Sequence, residues 1–219
     1  ELKPVFVDVE NHKPVININK IRKKITKKTI AIIPVHMGGR GCDIFKIKKI
    51  IKNKNIYIIE DAAQAFGSMF NGKYLGTQSH IGCFSLSIAK TISSGQGGFV
   101  VTNNKNLYKK LIKLKNNGLI DIKNIFKWGN IGLNFKFNDI LSTIALSELN
   151  KFSYYKKKLI NLYKFYNDNL KNHSQVQLIK VNINKGEIPQ YIEILTKKRQ
   201  KLFKYLIKKK IDVRIFYPS

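Results

Sequence analysis

Two apolar runs decide the fold: Thr29-Ile30-Ala31-Ile32-Ile33-Pro34-Val35 and Ile56-Tyr57-Ile58-Ile59. Each is apolar almost without interruption, as strands are when both faces of a parallel sheet are covered. Between the two runs, Asp43 is a candidate helix N-cap. The isoleucines after it recur at helical spacing, at Ile44, Ile47, Ile50 and Ile51. The order strand, helix, strand predicts an α/β fold with a mostly parallel sheet.

The flanking sequence extends this pattern. Upstream, residues 4–9 form a β-rich run, and residues 18–26 predict a helix capped by Asn17. Downstream, the patterns predict strands at 82–87 and 98–102, a helix from Leu107 to Gly118, a long helix over 139–170, a strand at 176–179, a helix at 196–208 and a strand at 212–216. We expect a domain boundary within the long helix, between residues 1–150 and residues 151–219.

The composition narrows the function classes. The 219 residues carry a formal net charge of +28, yet Lys accounts for nearly all of the basic residues. Because nucleic-acid readers rely on the bidentate contacts of Arg, this excess favours a solvated surface, with a basic nucleic-acid-binding module as the weaker alternative. No apolar run approaches the ~20 residues of a membrane span, and the first residues do not form a signal peptide. The two cysteines lack metal-ligand spacing and fit a reducing compartment, so we expect a cytoplasmic protein that binds no metal, nucleic acid or membrane.

Chemically useful groups follow the predicted strands, where open α/β sheets bind their ligands. Asp61 comes directly after the second apolar run, and Lys90 lies in a Ser- and Gly-rich loop after the next strand. A polar turn around Asn134 precedes the long helix. Each place also has a simpler interpretation: a turn cap, an ordinary turn and a helix N-terminus. His36, after the first run, is a candidate substrate contact or simple surface.

Six motifs stand in one order over residues 4–150. They are Pro4-Val5-Phe6-Val7-Asp8-Val9, Ala31-Ile32-Ile33-Pro34-Val35-His36, Glu60-Asp61-Ala62-Ala63-Gln64-Ala65-Phe66-Gly67, Ile81-Gly82-Cys83-Phe84-Ser85, Gly95-Gln96-Gly97-Gly98 and Gly132-Leu133-Asn134. In order and spacing they resemble the DegT/DnrJ/StrS family of sugar aminotransferases, a branch of the fold-type I enzymes that use pyridoxal phosphate (PLP). The resemblance implies a PLP-binding large domain over residues 1–150, incomplete at its N-terminus, and part of a smaller α+β domain over residues 151–219.

The resemblance also implies roles for four residues around one cofactor. Lys90 would hold PLP covalently and then move the proton of transamination. Asp61 would pair with the pyridine nitrogen and keep it protonated. Gln64 would contact the side of the ring that carries the phenolic oxygen, and Ser85 would bind the phosphate.

The partners are implied in the same way. Asn134 and Lys136 would reach the phosphate of the neighbouring subunit's PLP, because the sites of the family are built across a homodimer. The substrates would be a nucleotide-linked keto-sugar and an amino-acid donor, glutamate, in surface-polysaccharide or glycan biosynthesis. Departures from the family pattern at His80, Gln96, Lys136 and residues 141–143 bear on dimer and substrate contacts. A catalytically silent, truncated relative is the alternative.

Overall fold

The computed structural model of the chain describes residues 1–52, 54–121, 123–129 and 131–216. Twelve strands are assigned within these ranges: β1 (Val9–Glu10), β2 (Lys13–Ile16), β3 (Ala31–Ile32), β4 (Tyr57–Asp61), β5 (Met69–Phe70), β6 (Lys73–Tyr74), β7 (Ile81–Ser85), β8 (Gly98–Val101), β9 (Leu119–Asp121), β10 (Asn124–Trp128), β11 (Gln177–Leu178) and β12 (Ile194–Leu195). The α-helices of the described ranges are α1 (Ile18–Lys24), α2 (Ile44–Ile50), α3 (Lys105–Lys115), α4 (Asp139–Asn150), α5 (Phe152–Leu170) and α6 (Arg199–Lys208).

The central sheet has four strands in the order β3-β4-β7-β8. The first three are parallel, with Ile32 opposite Ile58 and Asp61 opposite Cys83, and β8 joins antiparallel to β7. The other strands pair two by two: β1 with β2, β5 with β6, β9 with β10, and β11 with β12. The α/β architecture with a mostly parallel sheet is therefore confirmed.

The helices that cover this sheet begin where the sequence predicts. The Asn17 side chain accepts a hydrogen bond from the Asn19 N–H at the start of α1, and Asp43 accepts one from the Lys46 N–H at the start of α2. Such side-chain acceptors satisfy amides that a helix leaves open at its N-terminus. The apolar faces of α1, α2, β3 and β4 meet in one core cluster, made of Val15, Ile21, Ile32, Cys42, Ile44, Ile47, Ile51, Ile56 and Ile58.

Two of the predicted strands are wrong, and one predicted helix is interrupted. Residues 4–8 run without a strand partner, and the side chains of Val5 and Phe6 are exposed. Residues 212–216 form no strand, while the chain end Tyr217-Pro218-Ser219 lies outside the described residues. The long helix is divided at Lys151, which separates α4 from α5. No helix within the described ranges is long and apolar enough to cross a membrane.

A segment near the C-terminus returns to the N-terminal half of the chain. The fully buried Arg40 guanidinium forms an ion pair with Glu193 and donates hydrogen bonds to the Lys180 and Ile179 carbonyl oxygens, at 3.0 and 3.2 Å. The buried Glu187 carboxylate likewise accepts the Lys13 ammonium, at 2.8 Å. These polar contacts fix residues 179–193 against the loops that follow the parallel strands. The domain boundary near residue 150 stays a prediction.

Candidate active site

The carboxyl ends of the parallel strands meet at one edge of the sheet. Asp61 is the last residue of β4, with Val35 bridged to it on one side and Cys83 of β7 opposite it on the other. Ser85 follows Cys83 by two positions, and side chains two residues apart on a strand point to the same face. Asp61 and Ser85 therefore lie at the same edge and on the same face. This is the edge at which open α/β sheets bind ligands.

Asp61 is held by hydrogen bonds to its backbone and to one carboxylate oxygen. Its N–H donates to the Pro34 carbonyl oxygen at 3.0 Å, and its Oδ1 accepts the Ala63 N–H at 3.0 Å. Burial, assisted by the negative charge of Asp61 on the neighbouring strand, raises the pKa of the Cys83 thiol. Oδ1 thus caps the turn, as the simpler interpretation predicts, while the described residues offer Oδ2 no hydrogen-bond donor.

Gln64 and Ser85 add polar groups on either side of Asp61. The Gln64 Oε1 accepts the Gly38 N–H at 2.9 Å, so its orientation is fixed by the loop after β3. The Ser85 hydroxyl donates to the Ser87 hydroxyl at 3.2 Å and accepts the Ser87 N–H at 3.3 Å. Ser87, which lies outside the motif that ends at Ser85, therefore forms a hydroxyl pair with it. If the Ser85 hydroxyl rotates away from Ser87, each hydroxyl can donate one hydrogen bond, and two such donors suit a phosphate group.

Lys90 lies in the loop that leaves β7. Its backbone N–H donates to the Ser87 carbonyl oxygen at 3.0 Å, which closes a tight turn after the hydroxyl pair. The side chain is half-buried, and its amine has no hydrogen bond or ion pair with any part of the chain that the structure describes. Most other lysines of the described chain are exposed, so a half-buried amine without a partner distinguishes Lys90 from them.

The model of the DegT/DnrJ/EryC1/StrS aminotransferase family matches residues 1–219. The chain belongs to this family. The family is PLP-dependent, and the family resemblance of the six sequence motifs is confirmed.

Two relatives match nearly the whole length of the chain. The chain is 37% identical over 223 residues to GDP-perosamine synthase of Escherichia coli O157:H7, a match that covers 98% of the chain and 59% of that protein. It is 32% identical to dTDP-4-amino-4,6-dideoxy-D-glucose transaminase of Shigella dysenteriae, covering 99% of the chain and 60% of that protein. The chain thus spans about 60% of the length of these relatives.

Solved structures confirm the fold. A DegT DnrJ EryC1 StrS aminotransferase from Brucella abortus superposes with a TM-score of 0.91 at 25% identity, covering 99% of the chain and 60% of that structure. The E. coli GDP-4-keto-6-deoxy-D-mannose-3-dehydratase, solved with bound hydrated PLP, superposes with a TM-score of 0.86 at 24% identity, covering 95% of the chain and 59% of that structure. The fold-type I class expected from the motifs is therefore confirmed.

Asn134 and Lys136 lie apart from the strand edge of this family member. The turn that carries them runs along the end of α3, where the Leu133 N–H donates to the Leu114 carbonyl oxygen at 2.9 Å. Both side chains are exposed, and the Asn134 Oδ1 accepts only the Lys136 N–H, at 3.4 Å, among the groups described. No described contact joins them to Asp61 or Lys90. Their assignment to a neighbouring subunit's cofactor stays a prediction.

His36 has a structural role in place of the expected substrate contact. The imidazole is fully buried. Its Nδ1 accepts the Cys42 N–H at 3.1 Å, which leaves the proton on Nε2 to donate to the fully buried Glu60 at 2.9 Å. Glu60 also accepts the Gly76 and Gln78 N–H groups, at 2.9 and 2.7 Å. With both ring nitrogens engaged inside the protein, His36 presents no group to a substrate, so the expected substrate contact is wrong.

The Glu60–His36 pair predicts a pH-dependent stability. Burial alone would raise the pKa of Glu60, but the hydrogen bonds from His36 and from the Gly76 amide outweigh it and hold the pKa below its usual 4.5. A depressed carboxyl pKa stabilises the fold above the unfolded-state value, and this contribution is lost as pH falls through the folded-state value. We expect Glu60→Gln to lower the free energy of unfolding by about 3 kcal/mol at neutral pH.

Urea unfolding of both proteins between neutral pH and about pH 3 measures this effect, since the gap narrows once wild-type Glu60 is protonated. Glu10→Gln is the matched control, because Glu10 is exposed and has no side-chain hydrogen bond within the described chain. A gap that stayed constant over the whole pH range would show that the charge of Glu60 does not carry the effect.

Proposed function

We propose that the protein is a PLP-dependent aminotransferase that acts on a nucleotide-linked keto-sugar with glutamate as the amino donor. The observation that carries the proposal is the free, half-buried Lys90 amine at a sheet edge that also bears the Asp61 carboxylate and the Ser85–Ser87 hydroxyl pair. Two relatives support the substrate class, since the name of each contains a nucleotide-linked amino sugar, with GDP in one and dTDP in the other.

The residues at this edge fit PLP by their chemistry. PLP supplies a ring that withdraws electrons from the carbon next to the reacting nitrogen. Asp61 would keep the pyridine nitrogen protonated through the carboxylate oxygen that the turn leaves free, because a nearby negative charge favours the protonated form. Ser85 and Ser87 would donate hydroxyl hydrogen bonds to the phosphate. Gln64 would direct its side-chain amide towards the phenolic oxygen, because Gly38 holds its Oε1.

Lys90 has two roles in this proposal. Its amine would hold the cofactor covalently. Once released from the cofactor, the amine would move a proton at the substrate carbon, as a positioned general acid and base. An amine without a hydrogen bond or ion pair in the described chain suits both tasks, because no contact has to be broken before it reaches the cofactor or the substrate carbon.

The assembly and setting are part of the same proposal. We infer a cytoplasmic homodimer in which Asn134 and Lys136 contact the phosphate at the partner's site. Their exposure supports this inference, since both side chains are available to a second subunit. The product would be an amino sugar for surface polysaccharide or glycan.

Transfer of labelled nitrogen tests the proposed function. The protein at its natural length, loaded with PLP, is incubated with ¹⁵N-glutamate and the 4-keto-6-deoxy form of a GDP-linked or a dTDP-linked hexose. Mass spectrometry of the nucleotide sugar is expected to find ¹⁵N in one of the two, which identifies the nucleotide. Absence of ¹⁵N from both sugars, in a protein that retains PLP on Lys90, would contradict the assigned substrate class.

A further inference from the structure

Gln190 holds both neighbours of Lys90. Its Oε1 accepts the Thr91 hydroxyl at 2.7 Å, and its Nε2 donates to the Ala89 carbonyl oxygen at 2.9 Å. The side-chain amide is used in both senses at once, as an acceptor on one side of Lys90 and as a donor on the other. Among side chains of this length, only Gln offers both: Glu lacks the donor and Lys lacks the acceptor.

Gln190 is itself anchored to the loop that orients Gln64. Its backbone N–H donates to the Gly38 carbonyl oxygen at 3.2 Å, and the Gly38 N–H donates to the Gln64 Oε1 at 2.9 Å. A continuous series of hydrogen bonds therefore connects the turn after Asp61 with the loop of Lys90. It passes through a residue about a hundred positions further along the chain.

The anchoring segment fits closely against the glycine loop after β3. Gly39 has φ +84°, and a Cβ there would lie 1.8 Å from the Ile188 carbonyl oxygen, so only glycine permits this approach. The Ser68 hydroxyl accepts the Ile188 N–H at 2.9 Å, and the adjoining Pro189 is fully buried. Backbone contacts on both sides thus fix the segment that carries Gln190, and they give its side chain a rigid base.

We propose that Gln190 is a positioning residue that sets the orientation of Lys90 for capture of PLP. The inference rests on the proposed function, because it assumes that Lys90 is the lysine that binds PLP. Residues 88–91 form three hydrogen bonds within the described chain, and Gln190 is the partner in two of them. Without these two bonds the loop samples other conformations, and the apparent affinity for PLP falls with the fraction of competent molecules.

The test compares Gln190→Ala with wild type in the protein at its natural length. Hydrogen exchange of the PLP-free protein is expected to show the Lys90 amide exchanging about tenfold faster in the variant, from the loss of two hydrogen bonds. Borohydride reduction at graded PLP concentrations is expected to show half-maximal labelling of Lys90 at about tenfold higher PLP. Thr91→Val removes only one of the bonds, and we expect a smaller shift in the same direction.

Gln177→Ala is the matched control, because Gln177 is exposed on β11 and its side chain makes no hydrogen bond within the described chain. Labelling of Lys90 in Gln190→Ala and Thr91→Val at the wild-type PLP concentration would overturn the positioning role and leave the proposed function intact. A wild-type protein in which PLP does not label Lys90 would overturn both. A shift confined to the two loop variants, with Gln177→Ala unchanged, would support the positioning role.

Discussion

Replacing Lys90 with alanine is expected to lower the rate of ¹⁵N transfer from glutamate to the nucleotide sugar by about 10⁴-fold or more. The variant loses the covalent attachment of PLP and the amine that moves the proton in the same substitution. The fold is expected to survive, because the Lys90 amine makes no hydrogen bond or ion pair in the described structure. Steady-state kinetics, with the unfolding midpoint measured alongside, tests both statements.

Lys109→Ala is the control for this experiment, since Lys109 is exposed on α3. It is expected to keep the wild-type rate. A Lys90→Ala protein that kept more than about a hundredth of the wild-type rate would show that a different amine carries the reaction, since general acid–base catalysis alone contributes about 10²–10⁴-fold.

Replacing Asp61 with asparagine is expected to have the second-largest effect. The change keeps the size of the side chain and the hydrogen bond from the Ala63 N–H to Oδ1, but it removes the negative charge. Loss of one partner from a desolvated charged pair costs about 3–5 kcal/mol, which corresponds to roughly a 10²–10⁴-fold fall in kcat. The pyridine nitrogen would lose its proton, and the ring would withdraw electrons less strongly.

The absorbance of bound PLP separates this effect from loss of binding. We expect Asp61→Asn to retain covalent PLP on Lys90 while the pH dependence of its absorbance changes, because the ring nitrogen titrates without its carboxylate partner. Asp168→Asn, on the exposed face of α5, is the control. An Asp61→Asn protein with unchanged kcat and spectrum would show that Asp61 serves only as the turn cap.

Local chemistry made the frame of this fold predictable. Asn17 and Asp43 are recognisable as caps because each precedes a run of apolar residues at helical spacing, and their side chains bond amides only two or three residues away. The parallel strands β3 and β4 are recognisable because burial on both faces leaves runs of isoleucine. Asp61 and Lys90 follow such strands, so the edge of the sheet that carries them could also be predicted.

The wrong strands and the wrong role of His36 share one physical cause: local composition does not show which other residues a segment or side chain contacts. Residues 4–8 and 212–216 have the apolar content of strands, yet neither segment pairs with a strand of the described chain. His36 has the sequence position of a ligand contact, and only the packing of Glu60 and Cys42 around it shows that its nitrogens are occupied. A residue's β propensity and polarity show which surroundings it favours. Only the tertiary contacts show whether the fold provides those surroundings.

Contacts between distant parts of the chain were not predictable at all. Gln190 meets Ala89 across 101 positions, and Arg40 meets Glu193 across 153. Neither pair stands in a motif, and each forms only because residues 179–193 fold back onto the strand ends. A buried Arg or a Gln bonded in both senses leaves no local periodicity, so sequence patterns alone do not identify it.

The central claim is that Lys90 alone among the many lysines of this protein binds PLP covalently. The most direct test is borohydride reduction of the PLP-loaded protein, followed by proteolysis and mass spectrometry of the peptides. The account predicts one pyridoxyl group on Lys90 and no such labelled peptide in Lys90→Ala. Label spread over surface lysines, or unchanged labelling in Lys90→Ala, would contradict it.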